Sequence, residues 1–226
     1  MLFWHESRKK HFMTILKSEN QIEFFSPFGP VIGHFKMPSE LTKNLNNQMD
    51  ERLEDFSKKL VGKVKQELRF DNKIMQIAYE GLGDFLIRYK RHAMKKNLLD
   101  SYQENLNAKY NIEIMNAWFV RQFEHEYNPL HIHIGCELSC VGYLALPENI
   151  EDEWKKDYED HHPANGHIQF SYGEGSNIYC LSDVRIKPQI GDFYVFPSTL
   201  KHCVYPFYSK GERRSFSMNL NCKELS

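Results

Sequence analysis

The chain has 226 residues, 29 basic against 30 acidic side chains, and a formal net charge of -1. So even a balance argues against a protein that works mainly by gripping nucleic acid or a membrane surface, since both need a concentrated positive field. With 41% hydrophobic and 14% aromatic residues, the chain can bury a sizeable core, which excludes a disordered polymer.

Residues 21–36 (QIEFFSPFGPVIGHFK) predict one or two short strands broken by Pro27, Gly29 and Pro30. Pro38-Ser39 then opens a helix with Ser39 as N-cap, and Leu41, Leu45, Met49, Leu53 and Phe56 follow at spacings of three or four. A second helix is expected over roughly 76–109, with an apolar stripe of Ile77, Leu82, Phe85, Leu86, Tyr89, Leu98, Leu99 and Tyr102. The charged run Arg88 to Lys96 within it reads as a solvated face.

From about residue 112 the period changes to that of strands. Ile112 to Phe123 is mostly apolar or aromatic, and strand signals recur at 130–134, 138–146, 167–172, 178–186, 192–196, 202–207 and 213–221. Short strands at this spacing suggest an antiparallel sandwich or barrel. The acidic segment 147–165 reads as a surface loop over the site, and His161-His162 within it as exposed. One domain is expected over 1–226, with supporting strands and helices in 1–111 and the barrel core in 112–222.

The five cysteines are odd in number and include no C-x-x-C pair, which suits a reduced compartment and core packing rather than a disulfide framework. No base is placed to make Cys136 or Cys203 a nucleophile. The N-terminus is too charged for a secretory signal, and no window approaches 18 uninterrupted apolar residues, so a cytoplasmic protein is expected.

Chemistry concentrates in three histidines. An H-x-H on a strand, His131-Ile132-His133, points both imidazoles to one face, because side chains alternate with a period of two. His202, brought in by a distant strand, can close a facial ligand set that leaves other positions of a metal open. Around it, Pro188 to Ser198 reads as a tight turn, a strand and a stop, and Glu212 to Asn219 as another strand. Arg213 and Ser215 share a strand face, and taken alone the Arg213-Arg214 pair reads as surface charge on an edge strand. Arg214 points the other way unless a bulge exchanges the two.

These segments resemble the 2-oxoglutarate and iron(II)-dependent oxygenase superfamily, and more closely the oxygenases common in tailed phages of marine bacteria. The resemblance rests on five segments in order: His131-Ile132-His133, Leu138-Ser139-Cys140-Val141-Gly142-Tyr143-Leu144, Gly191 to Ser198, His202-Cys203-Val204-Tyr205-Pro206, and Arg213 to Asn219. It covers about residues 112–222. It implies a mainly β fold with N-terminal helices, a double-stranded β-helix (a jelly-roll, cupin-like barrel). It also implies hydroxylation of a C–H bond with release of succinate and CO2, and a cytoplasmic location, the host's if the chain is phage-encoded.

The implied cofactors are Fe(II) and the cosubstrate 2-oxoglutarate. His131 and His202 would be imidazole ligands, and Arg213 with Ser215 the clamp for the cosubstrate's far carboxylate. Tyr143, Gln122 and Trp118 flank the site and could contact cosubstrate or substrate, or simply pack in the core. Asn219, on the Arg213 face, could hydrogen-bond near the metal. The chain departs from the superfamily at His133, which stands where an Asp or Glu is usual. Three readings follow: His133 is the third ligand, Glu137 reaches the metal instead, or His133 only lines the pocket while water fills the position. A peptidyl or small-molecule C–H donor is the implied substrate, with no membrane or nucleic-acid partner. Two rival readings are a three-His cupin-type metalloenzyme that does not use 2-oxoglutarate, and a non-catalytic binding barrel.

Overall fold

Among the described residues, eleven strands gather into two antiparallel sheets that face each other across an aromatic core, a double-stranded β-helix. The structure is a computed structural model and describes residues 22–25, 29–51, 53–55, 57–59, 61–98, 108–155, 164–176 and 181–225. In chain order the strands are β1 (Ile22–Phe25), β2 (Ile32–Lys36), β3 (Gln66–Arg69), β4 (Lys109–Gln122), β5 (Asn128–His131) and β6 (Leu138–Ala145). They continue as β7 (Ile168–Ser171), β8 (Asp183–Ile186), β9 (Asp192–Pro197), β10 (Lys201–Val204) and β11 (Arg213–Leu225). The larger sheet has the order β1-β2-β9-β6-β11-β4-β3 and the smaller β5-β10-β7-β8. Three α-helices accompany them among the described residues: α1 (Ser39–Gln48), α2 (Asn72–Leu98) and α3 (Ile150–Lys155).

β11 organises the larger sheet, registered with β4 on one side and β6 on the other. Its alternation sends Phe216, Met218, Leu220 and Cys222 outward into the core beneath α2. Arg213, Ser215, Ser217 and Asn219 therefore take the face inside the barrel. On α2, Ile74, Ala78, Leu82, Phe85, Leu86 and Tyr89 are all at most 2% exposed and recur at helical spacing. Each fully buried ring or branched chain there stabilises by roughly 1.5–3 kcal/mol. The Tyr89 hydroxyl donates to the Val31 carbonyl at 3.0 Å, so the one polar atom on that face is satisfied. Gly33 lies beneath the helix, where a Cβ would come within 2.8 Å of the Tyr89 ring and 2.9 Å of Val195. The turn before β9 needs Gly191, whose φ is +88°.

Several expectations are corrected. Ser39 is the first helical residue of α1 and makes no side-chain cap; Pro38 precedes the helix and its carbonyl accepts from Thr42. The helix α2 begins at Asn72 rather than near 76, because Asp71 Oδ1 takes the Ile74 N–H at 2.8 Å and caps it. It is described to Leu98, and β4 already runs from Lys109, so the expected helical stripe at Leu99 and Tyr102 lies outside the described residues. The segment expected as a loop over 147–165 contains α3, with Ile150 buried and the Trp154 indole N–H donating to the Asn165 carbonyl at 2.8 Å. Glu151, Asp152 and Glu153 in its first turn suit a helix N-terminus. His161 and His162 lie outside the described residues. The short strand β3 had no expectation at all, since Gln-Glu-Leu-Arg shows no apolar period. Among the described residues no helix is long and apolar enough to cross a membrane.

Candidate metal centre

His202 and His131 are direct cross-strand partners, because β10 pairs antiparallel with β5 in that register. His131 ends β5, and His133 lies just beyond it, held by its backbone N–H on the Ser198 carbonyl at 2.9 Å. The expected placement of the whole H-x-H on one strand is thus corrected, yet the rings still converge. Ring centroids are 4.3 Å apart for His131 and His202, 5.0 Å for His131 and His133, and 5.2 Å for His133 and His202. One nitrogen of each lies within 4.8 Å of the others, a set that could hold a metal ion.

The far sides of the rings are organised differently. Nδ1 of His131 lies 2.7 Å from the Pro129 carbonyl, and Nδ1 of His202 lies 2.8 Å from the Leu200 carbonyl. A carbonyl only accepts, so both rings carry their proton on Nδ1 and turn the Nε2 lone pair toward the cluster. His133 differs: the Asn219 amide nitrogen lies 3.3 Å from its Nδ1, while Asn219 Oδ1 accepts the Ser139 hydroxyl at 2.8 Å. Amide donation to Nδ1 puts the His133 proton on Nε2; rotating the amide by half a turn, with the Ser139 hydroxyl accepting instead, would free that lone pair. Glu137 is committed elsewhere, its carboxylate accepting from the Cys222 backbone N–H at 3.0 Å and lying 3.4 Å from Lys90 Nζ.

Burial decides the charge of His133 and His202. Phe196 and Phe170 pack on His202, which is 5% exposed. Desolvation, reinforced by His131, holds His133 down to about 4 and His202 down to about 3, so both are neutral and ready to ligate at pH 7. Unfolded histidine takes a proton near 6.5. The unfolded chain therefore binds more protons than the folded one below that pH, and metal-free protein should lose stability as pH falls from about 6.5 to about 4. Melting temperature measured at pH 7, 6 and 5 checks this, with His202→Asn expected to flatten the profile. Equal slopes in the two proteins would contradict it.

A second polar group sits within the barrel. Arg213 is 3% exposed; it donates through Nη1 to the Gly166 carbonyl at 2.9 Å and through Nη2 to Gln122 Oε1. Its Nε has no partner, and among the described residues no carboxylate pairs with it. The guanidinium lies 5.7 Å from the centre of the Tyr143 ring, whose buried hydroxyl also lacks a partner. Burial pushes that hydroxyl up to about 12, so it is a donor at any ordinary pH. Ser215 is 4% exposed on the same strand face, and Gln122, fully buried, steadies the arginine. Arg214 turns outward to Asp50 at 2.8 Å and Glu212 at 3.1 Å. The irregularity at this point falls opposite β6, while β11 stays in register with β4, so the two arginines are not exchanged.

The pocket in front of the histidines is a small cavity of about 50 Å³ that opens to solvent, and Trp118, Cys140, Val141, Ile168 and Phe196 are among its walls. The Trp118 ring lies 6.2 Å from that of His133. Two wall residues escaped the sequence reading. Glu67 on β3 is 2% exposed, accepts the Trp118 indole N–H through one oxygen and leaves Oε2 without a partner. Asn128 on β5 has a buried Oδ1 that is likewise unpartnered. No sequence signal could single out Glu67, because one acid in a charged tetrapeptide reads as a solvated residue.

Residues 116–219 match a family model described as "Putative 2OG-Fe(II) oxygenase". No curated protein matches the chain by sequence. Among solved structures, the chain is similar to a Pseudomonas putida prolyl-4-hydroxylase at 16% identity and a TM-score of 0.51, covering 84% of this chain and 91% of that one. It is also similar to HygX from Streptomyces hygroscopicus, solved with nickel and 2-oxoglutarate bound. That match has 11% identity and a TM-score of 0.50, covering 86% of this chain and 83% of that one. At such identities the likeness speaks for the fold.

Proposed function

Through residues 116–219 this chain belongs to the 2-oxoglutarate/Fe(II)-dependent oxygenase superfamily, and on that premise we propose that it hydroxylates a C–H bond. In balance, substrate C–H, O2 and 2-oxoglutarate would give the alcohol, succinate and CO2. The observation that carries this reading is Arg213, a buried guanidinium that has a free Nε and, among the described residues, no carboxylate beside it. A buried charge without a counter-charge is costly, and a ligand that supplies a carboxylate repays the cost.

The donor set fits both cofactors. Three imidazoles suit a divalent first-row metal and leave coordination positions open. The Arg213 guanidinium, the Tyr143 hydroxyl and the Ser215 hydroxyl offer donors to a carboxylate, and Gln122 holds the guanidinium in place. Bound iron(II) with 2-oxoglutarate would supply the oxidising chemistry. The chain's own part is to orient His131 and His202 through the Pro129 and Leu200 carbonyls, to fix the cosubstrate's far end, and to exclude water with Phe170 and Phe196. His133 is the third ligand in this reading, with Asn219 setting which nitrogen faces the metal. A three-His enzyme without 2-oxoglutarate has no use for the unpaired arginine. The phage likeness gains no support from the named bacterial structures, and a peptidyl substrate stays a proposal.

Tyr143→Phe isolates the cosubstrate claim. Removing a buried hydroxyl that has no partner should leave the melting temperature of the metal-free protein unchanged or slightly higher. It should weaken 2-oxoglutarate roughly tenfold, the worth of one buried hydrogen bond to a charge. A melting curve of the metal-free protein reads the first and titration calorimetry with nickel-loaded protein the second, and an unchanged affinity would remove Tyr143 from the clamp. The enzyme claim itself is tested by succinate release with iron(II), 2-oxoglutarate and a substrate panel. Protein purified without oxygen that holds no iron, and whose melting point ignores 2-oxoglutarate, would sink it.

A further inference from the structure

We propose that Glu67 and Asn128 form the substrate-recognition pair of this site, and that the substrate group they receive is a cationic nitrogen, an ammonium or a guanidinium. The inference rests on the oxygenase reading above and names what that reading leaves open. Both residues line the pocket that holds His131, His133 and His202. Glu67 Oε2 and Asn128 Oδ1 are buried acceptors with no donor. Two orphaned acceptors in one small pocket are a standing cost that a matching donor removes.

The charge of that donor follows from what surrounds it. Among the described residues no lysine or arginine lines the pocket, and its three histidines are the proposed metal ligands. The Trp118 N–H is already given to Glu67. Burial first, then the Asp55 and Glu126 carboxylates, raise the Glu67 carboxyl to about 7, so the charges felt at Glu67 are negative. A cation entering there restores full ionisation of Glu67, whereas an anion would meet repulsion. The remaining walls, Val61, Val141, Ile168 and Val204, suit an aliphatic stem. A charged nitrogen held at the pocket wall thus presents a nearby methylene to the histidines. The loop at Gly62 closes on this point, since a Cβ there would meet Asn128 Oδ1 at 1.9 Å.

Four blocked amino acids test the proposal: acetyl-lysine amide, acetyl-arginine amide, and their uncharged counterparts made with norleucine and citrulline. Citrulline keeps the N–H donors of arginine without the charge. Binding is followed by indole fluorescence and melting temperature, with nickel and 2-oxoglutarate bound so that no turnover occurs. One of the two cationic probes is expected to bind at least tenfold more tightly than its uncharged partner. Glu67→Gln should abolish that preference, and Asn128→Asp, which adds a charge at constant shape, should enlarge it. Equal binding of charged and uncharged probes, no binding of any probe, or a preference surviving Glu67→Gln would overturn it. Nickel and 2-oxoglutarate affinities, measured first and without probe, report separately on the oxygenase reading.

Discussion

His202→Ala should lower iron affinity by about a hundredfold or more and abolish succinate release, while the barrel still folds. Loss of a ligand costs at least as much as loss of the groups that orient ligands, which is typically ten- to a hundredfold. His202 is the best-organised member of the set. It sits on β10 opposite His131, has its Nδ1 on the Leu200 carbonyl, and is walled by Phe170 and Phe196. Truncation leaves a small cavity beside those rings, with an expected cost on the order of 1–2 kcal/mol. Metal content after purification without oxygen, together with the melting curve, separates loss of a ligand from loss of fold. His133→Ala should cost less, because the Asn219 amide nitrogen facing its Nδ1 leaves its Nε2 less committed to the metal. Unchanged succinate release by His202→Ala would remove it from the ligand set.

Arg213→Ala should weaken 2-oxoglutarate by roughly a hundredfold or more, since removing one partner of a buried charge pair costs about 2–5 kcal/mol. Iron affinity should change by about twofold at most, because the guanidinium contacts Gly166, Gln122 and the Tyr143 ring, and no ligating histidine. The substitution strands Gln122 Oε1 and the Gly166 carbonyl but also removes an unpaired buried charge, so the two effects on stability oppose each other. Arg213→Lys keeps the charge and loses the planar fork, and should recover only part of the affinity. Calorimetry with iron replaced by nickel reads the two constants independently. Equal losses of metal and cosubstrate would mean a damaged fold instead of a missing clamp.

Much of this was legible in the chain itself. The change from helical to strand period near residue 112 reflects sheets that bury one face, and alternation places Arg213 and Ser215 on one side and Arg214 on the other. Gly191 marks the turn before β9 because only a glycine takes its φ easily. Histidines 131 and 202 stand out because ligand chemistry needs imidazoles and those segments occur in a known order. The helix starts were misplaced where a cap came from a neighbour in sequence, as Asp71 does for α2. The acidic stretch at 150–155 gave no helical stripe because one buried residue, Ile150, anchors it.

What the sequence by itself determined, then, is the mainly β barrel, and it singled out His131, His202 and Arg213 as candidates for the site, because periodicity and residue type are local properties. Only the tertiary structure decided the rest. It set the tautomers of the three rings through carbonyls and an amide, withdrew Glu137 to Cys222 and Lys90, and left Arg213 and Tyr143 short of partners. It also brought Glu67 from β3 to the pocket wall. Each of these depends on which distant group lies within about 3 Å of a polar atom, and no pattern along a chain encodes that distance.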